Sequence, residues 1–222
     1  MSRIKKIIIF LYNIIYGFIF CLLNGSSNHL ECKGKIIGVK IRVNGKNNRI
    51  IIEDGVSIHK SSILFIQGDD NLIYIKQGSI MNEGGSVRIE GNSNRFIVGR
   101  NSSLINVFFS MGDDKTDIEI GNYCLFSANV IFRDWDNHSI VMANAPDVRI
   151  CEGKSIKVED HVWIGYGTTV MKGVTIGHDS IVGTMSVVTS DVPSNSVVVG
   201  NPVRVVKSGV SWNKEWLKST CG

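Results

Sequence analysis

The sequence predicts an all-β chain wound as a parallel β-solenoid, and three observations carry that prediction. From Val158 to Val188 an aliphatic residue recurs at every sixth position (158, 164, 170, 176, 182 and 188) without a break. Four residues after each comes a small or β-branched residue: Val162, Thr168, Val174, Ser180, Ser186 and Val192. Upstream, the stretches 44–58, 67–80, 90–104 and 112–126 superpose, with Ile52, Ile75, Val98 and Ile120 in corresponding places at spacings of 23, 23 and 22. A helix wants apolar recurrence near 3.6 and a half-buried strand near 2, so a strict period of six with glycine at or next to the corners fits neither. Six residues make one flat side. Three sides close a triangular prism of about 18 residues per turn, with successive turns hydrogen-bonded as parallel strands about 4.8 Å apart.

At 222 residues, 43% of them hydrophobic, the chain suits one domain with a long, thin core. Residues 1–25 read as a segment of their own. Arg3, Lys5 and Lys6 precede Ile7–Leu23, 17 largely apolar residues, a little short of the 20 or so that span a bilayer. A cleaved export signal, a membrane-surface helix and a helix capping the solenoid compete here. The sequence NGSSNHLEC after Leu23 lacks a small-residue cleavage pattern, so a membrane-associated or capping helix is expected. Net charge is +4 with much of the excess in this segment, a weak case for nucleic acid. Five cysteines, odd in number and without CxxC spacing, fit reduced thiols in cytosol.

The solenoid is expected over 26–207. In its upstream repeats each coil carries a short polar excursion of the Asn-Gly or Gly-Asp-Asp kind, where glycine and asparagine tolerate positive φ. Stacked coils place these excursions on one edge as a ridge. Between Phe132 and Val158 the repeat breaks, and 133–157 reads as a protruding loop, the usual seat of binding and catalysis on a rigid scaffold. It carries Asp134, Trp135, Asp136 and His138 within five positions. A tail, 208–222, contains Trp212 and Trp216 at i and i+4, a candidate lid for the open end.

The blocks GNYCLFSANVIFRDWDNHSI and DHVWIGYGTTVMKGVTIGHDSIVGTMSVV and the ending GNPVRVVK resemble the hexapeptide-repeat acyltransferases, in the branch that O-acetylates galactosides, maltose, capsule or O-antigen. The resemblance covers about 104–207. It implies a left-handed β-helix, a homotrimer with acetyl-CoA in the groove between two subunits, and a loop histidine as general base, matched here by His138. It also implies that Trp163, Gly165 and Tyr166 lie along the pantetheine arm, with Thr184 and Thr189 one coil later. Arg204 and Lys207 would meet the phosphates of the adenine end. Asn106 matches an asparagine that contacts the acceptor. Two departures stand out: family members commonly read GAGS and then VTK, where this chain has Gly183-Thr184-Met185-Ser186 and Val188-Thr189-Ser190. Arg204 is the candidate to replace the missing lysine.

The chemistry asks for such a base independently. A sugar hydroxyl is a poor nucleophile near neutrality, whereas the CoA thiolate is a good leaving group. An imidazole of ordinary pKa near 6.5 can take the hydroxyl proton as oxygen attacks the thioester, worth about 10²–10⁴ in rate. Backbone N–H groups at coil corners can meet the oxyanion, and direct transfer needs no acyl-enzyme. Asp134 or Asp136 would hold the imidazole tautomer, and Trp135 would stack on a sugar. His161 and His178 lie nearly one coil apart and could stack as a surface pair. The spacings of 23 and 17 among His138, His161 and His178 lack the close pair of a three-histidine zinc site, so no metal is expected. The expected activity is acetyl-CoA-dependent O-acetylation of a bacterial surface saccharide, in the cytoplasm or on the inner face of its membrane. N-acetylation of an amino sugar and a non-enzymatic scaffold are the alternatives.

Overall fold

In the computed structural model, which describes residues 20–59 and 62–218, the chain winds as a prism of three parallel sheets. A representative coil runs through Ser86–Glu90 on the first face, Arg95–Val98 on the second and Ser103–Ile105 on the third. Among the described residues the faces hold eight, seven and nine strands. The expected register is the observed one: Ile52 pairs with Ile75, Ile75 with Val98, and Val98 with Ile120. The second face then passes from Ile120 to Val158 and on to Ile176, so the interrupted repeat leaves the sheet intact.

Alternation explains why these residues make these strands. Each short strand sends one or two aliphatics into the shaft and the residue between them outward. All six residues of the 158–188 series are buried, as are the six that follow them by four places. Mid-shaft, Phe96, Phe109, Phe132 and Phe126 stack in sequence with ring centroids 4.6, 4.9 and 5.5 Å apart. Full burial of each such ring contributes about 1.5–3 kcal/mol.

The polar excursions stack as expected, on the edge between the first and second faces. Inside that edge runs an asparagine ladder, in which Asn71 Nδ2 donates to Asn48 Oδ1 (3.0 Å) and to the Gly91 carbonyl (2.9 Å). Asn71 Oδ1 accepts from the Asn94 amide (2.9 Å), and Asn94 Oδ1 accepts from the Thr116 amide (2.9 Å). Glycine opens each of these corners for a steric reason. Gly45 sits at φ 141°, and a Cβ there would meet the Gly68 carbonyl oxygen of the next coil at 1.9 Å.

Both ends differ from expectation. The segment read as a helix over 1–25 ends in a strand: Phe20–Asn24 pairs in parallel with Lys40–Asn44, Cys21 is buried, and residues 1–19 lie outside the described residues. Apolar content had suggested a helix to residue 25. Coil-to-coil hydrogen bonding overrides it from residue 20, where Cys21 and Leu23 alternate inward. At the other end, Val203–Ser208 runs antiparallel to Ser196–Gly200 and ends the third sheet. Of the two tail tryptophans expected to cover this end, Trp212 packs on His161 with ring centroids 4.3 Å apart, whereas Trp216 is 98% exposed. The four cysteines among the described residues are free.

Candidate active site

The loop leaves the prism at the first–second edge, between Ile131–Arg133 and Ile156–Val158, and contains a small hairpin of Val141–Met142 and Ala145–Arg149. Its root is clamped at several points. The Arg149 guanidinium pairs with Asp113, whose carboxylate also accepts from the Gly153 amide, and this guanidinium holds Asp113 below the usual carboxylate range. Lys172 pairs with Asp136 and donates to the Glu152 carbonyl (3.0 Å), and the ammonium likewise depresses the Asp136 pKa. The buried Cys151 thiol accepts from the Ile140 amide (3.0 Å) and donates to the His138 carbonyl (3.8 Å). The His138 amide closes on the Asp136 carbonyl (2.7 Å). Backbone on both sides of His138 is therefore held. Its side chain is exposed, with no hydrogen bond to its ring among the described residues.

Neither acid proposed to orient the imidazole does so in this arrangement. Asp134 is fully buried: Oδ1 accepts from the Gly112 amide (3.1 Å), Oδ2 lies 2.5 Å from the Thr116 hydroxyl, and burial pushes its pKa up to about 6. It closes the asparagine ladder. Asp136 is engaged by Lys172. Trp135 donates from Nε1 to Ser110 Oγ (3.1 Å) and lies over Gly112, where a Cβ would sit 2.0 Å from its ring, so the loop's start is pinned to the first face.

A second group of expected residues assembles on a different edge, between the third and first faces. Asn106, at φ 48°, donates to Asn129 Oδ1 (2.7 Å), and Asn129 donates to the Tyr166 hydroxyl (2.7 Å). The Met185 amide donates to the Tyr166 carbonyl (2.7 Å), which brings Thr184 to the same edge, and Gly165 packs against the Thr184 backbone. Asn106 and Tyr166 thus share one polar ridge through Asn129. That residue went unnoticed in the sequence, although it stands 23 positions after Asn106, at the repeat spacing. Trp163 is 39% exposed on the third face. Arg204 and Lys207 are exposed on its terminal strand, neither in an ion pair among the described residues. Thr189 does not join Thr184; it follows Val187–Val188 at the other end of the first face.

His161 and His178 do not stack on each other. Both present Nδ1 to Asp179, at 2.7 and 2.8 Å, and the two rings hold its pKa down to about 2. Ser211 donates to the same carboxylate (2.9 Å), and Trp212 Nε1 donates to the His161 carbonyl (2.7 Å). These histidines border an open groove of about 650 Å³ on the second–third edge, away from both groups above. Among the described residues no cluster of three His, Cys, Asp or Glu side chains is placed to hold a metal ion.

The family described as "Bacterial transferase hexapeptide (six repeats)" matches residues 155–190. The chain is 35% identical over 119 residues to the polysialic acid O-acetyltransferase of Escherichia coli O1:K1 / APEC, an alignment covering 54% of this chain and 38% of that one. It is 39% identical over 95 residues to the galactoside O-acetyltransferase of Lactococcus lactis subsp. lactis (strain IL1403), covering 41% and 44%. The chain thus spans less than half the length of these two curated relatives. The solved structure of the polySia-specific acetyltransferase NeuO superposes with a TM-score of 0.77 at 31% identity, over 89% of this chain and 88% of that one. With 31% identity over nearly the whole of both chains and the hexad block matched, this chain belongs to the hexapeptide-repeat transferase family.

Proposed function

We propose that the chain transfers the acetyl group of acetyl-CoA to a hydroxyl of a bacterial surface saccharide, with His138 as general base. The observation that carries this reading is the state of the loop: backbone clamped on either side of His138, with the ring exposed and unengaged. The imidazole takes the acceptor hydroxyl proton as the oxygen attacks the thioester carbonyl. The C–S bond then breaks, the thiolate leaves, and the proton passes to it. Names of relatives that act on polysialic acid and galactosides support the acceptor class.

Geometry supports a site shared between copies. His138 stands off the first–second edge, while Asn106, Tyr166 and Thr184 stand on the third–first edge of the same prism. A homotrimer of left-handed prisms would bring one copy's loop to a neighbour's ridge, with Arg204 and Lys207 meeting the anionic end of acetyl-CoA. The donor is cytoplasmic, so the prism belongs on that side of the membrane, and the basic, apolar residues 1–19 would hold it there. Deleting 1–19 should move the protein from the membrane to the soluble fraction with activity on soluble acceptors retained; unchanged fractionation rejects the membrane role.

The central test is His138→Ala with acetyl-CoA and a saccharide acceptor. A fall in kcat of at least about 10² with little change in acetyl-CoA binding is expected. Near wild-type turnover would remove His138 from the mechanism, and an active monomer by light scattering would exclude the shared site.

A further inference from the structure

The outward side of the first face carries an unusual column. In-register pairing stacks Arg42 on Phe65, Phe65 on Arg88, Arg88 on Ser110 and Ser110 on Arg133. The flanking residues Ile41, Val43, Leu64, Ile66, Val87, Ile89, Phe109 and Phe132 are buried, so every member of the column points away from the core. Three arginines therefore stand on alternate coils, their backbones two strand spacings or about 10 Å apart. An aromatic ring fills the first gap, with the Arg88 guanidinium 5.0 Å above the Phe65 ring. Ser110 fills the second and accepts from Trp135 at the root of the His138 loop.

Charge on this column is poorly balanced. Arg88 pairs with Glu90, but Arg42 and Arg133 have no ion pair among the described residues, and the exposed Lys40 adds a further cation on the Arg42 strand. Arginines on alternate coils, with an aromatic ring between the first two, suit a ligand with repeated carboxylates and apolar sugar faces. A neutral glycan would leave those cations without use. The column also has a direction: Arg133 is the last strand residue before the loop, and Trp135 lies beside it.

We propose that this column is a track for an anionic polysaccharide, which holds successive acidic sugars of the acceptor chain and feeds one of them toward Trp135 and His138. The proposal deepens the saccharide O-acetyltransferase reading and rests on it for the reaction, though not for the binding. It commits the acceptor to a polymer with a carboxylate on each or every second sugar. Such a polymer should outcompete its own short fragments, because only a long chain reaches Arg133 and Arg42 together.

The test measures binding and transfer separately on the full chain. Long-chain polysialic acid serves as the anionic probe, dextran as a neutral glycan and polyglutamate as an anion that is not a saccharide. Polysialic acid should bind with an affinity that weakens as salt rises, and the doubly substituted Arg42→Gln/Arg133→Gln should weaken it at least about tenfold. The same substitution should lower the ratio of kcat/KM on long over short acceptor by a similar factor. If that double variant fails to fold, Lys40→Glu, at an exposed position on the same face, should weaken binding in the same direction. Wild-type-like affinity in the folded double variant, equal binding of dextran, or equal binding of polyglutamate would each overturn the track. Acetyl transfer to a neutral saccharide with no polyanion binding would reject the track and keep the enzyme reading. Polyanion binding by the track with no acetyl transfer to any saccharide would do the reverse.

Discussion

The Thr116 hydroxyl oxygen lies 2.5 Å from Asp134 Oδ2 and 3.0 Å from Asn94 Oδ1, so a single hydroxyl proton stands between two acceptors. One contact needs a second proton, and a protonated Asp134 supplies it: the carboxyl donates to Thr116, which donates to Asn94. Burial, the main cause of the rise in the Asp134 pKa from 3.8 to about 6, favours that protonated form. The folded chain then binds more protons than the unfolded chain between those two values. Stability from this group is fully present below about pH 4 and is lost as pH rises through about 6, on the order of 2–3 kcal/mol. Asp134→Asn should flatten this fall and leave the variant at least as stable as wild type at pH 7.5. Urea unfolding of both proteins from pH 4 to 8 checks it; parallel curves would show that Asp134 is already ionised in the fold.

A separate prediction concerns Lys172, which lies outside the loop yet binds it at Asp136 and at the Glu152 carbonyl. Lys172→Met should lower kcat about tenfold or more with acetyl-CoA KM little changed, because it frees the backbone before His138 rather than any donor contact. Adding Asp136→Asn should recover part of the loss, a coupling of about 0.5–3 kcal/mol in a double-mutant cycle. Additive effects would separate the two residues.

The ladder is expected to dominate stability at the first–second edge. Asn71→Ala removes three side-chain hydrogen bonds and leaves the Gly91 carbonyl and the Asn94 amide short of partners at a buried corner. A loss of about 2–4 kcal/mol in denaturant unfolding is expected. A change within 0.5 kcal/mol would mean that water enters the edge freely.

Gly112 is predicted to matter for turnover more than for folding. Gly112→Ala sets a methyl against the Trp135 ring, so Trp135 must leave Ser110 and take the start of the loop with it. A fall in kcat of roughly tenfold with a small shift in melting temperature is expected, since the exposed loop adds little to the core. Full activity would show that the loop does not depend on that anchor.

Much of this architecture was legible in the residues because the coil has a fixed period. Ile52, Ile75, Val98 and Ile120 could be placed in one column by spacing alone, and the structure pairs them so. His138 could be singled out because it lies where that period fails. Asp134 follows the alternation of its strand and not the loop after it: Phe132 points in and Arg133 out, so Asp134 points in and belongs to the corner. Lys172, Cys151 and Asp113 were not legible at all. Lys172 and Asp113 reach the loop from 36 and 40 positions away in sequence, Cys151 bridges within it across 13, and no periodicity encodes where an excursion folds back. The strand Phe20–Asn24 was hidden by apolar neighbours that read equally well as helix, since a run of apolar residues carries no period of its own.

The loop also bears on how such a prism tolerates change. At the corresponding corner one coil earlier the chain crosses from Met111 to Asp117, whereas here it travels from Arg133 to Ile156 before re-entering the next sheet in register. Closure entropy grows only with the logarithm of length, so this excursion, roughly four times the shorter corner, adds only about 1.3 kcal/mol to the entropic cost of the turn. Strands on either side pair with the coils above and below whatever the excursion contains. A scaffold that pays so little per added residue leaves the excursion free to vary in length and sequence while the stack beneath it stays the same.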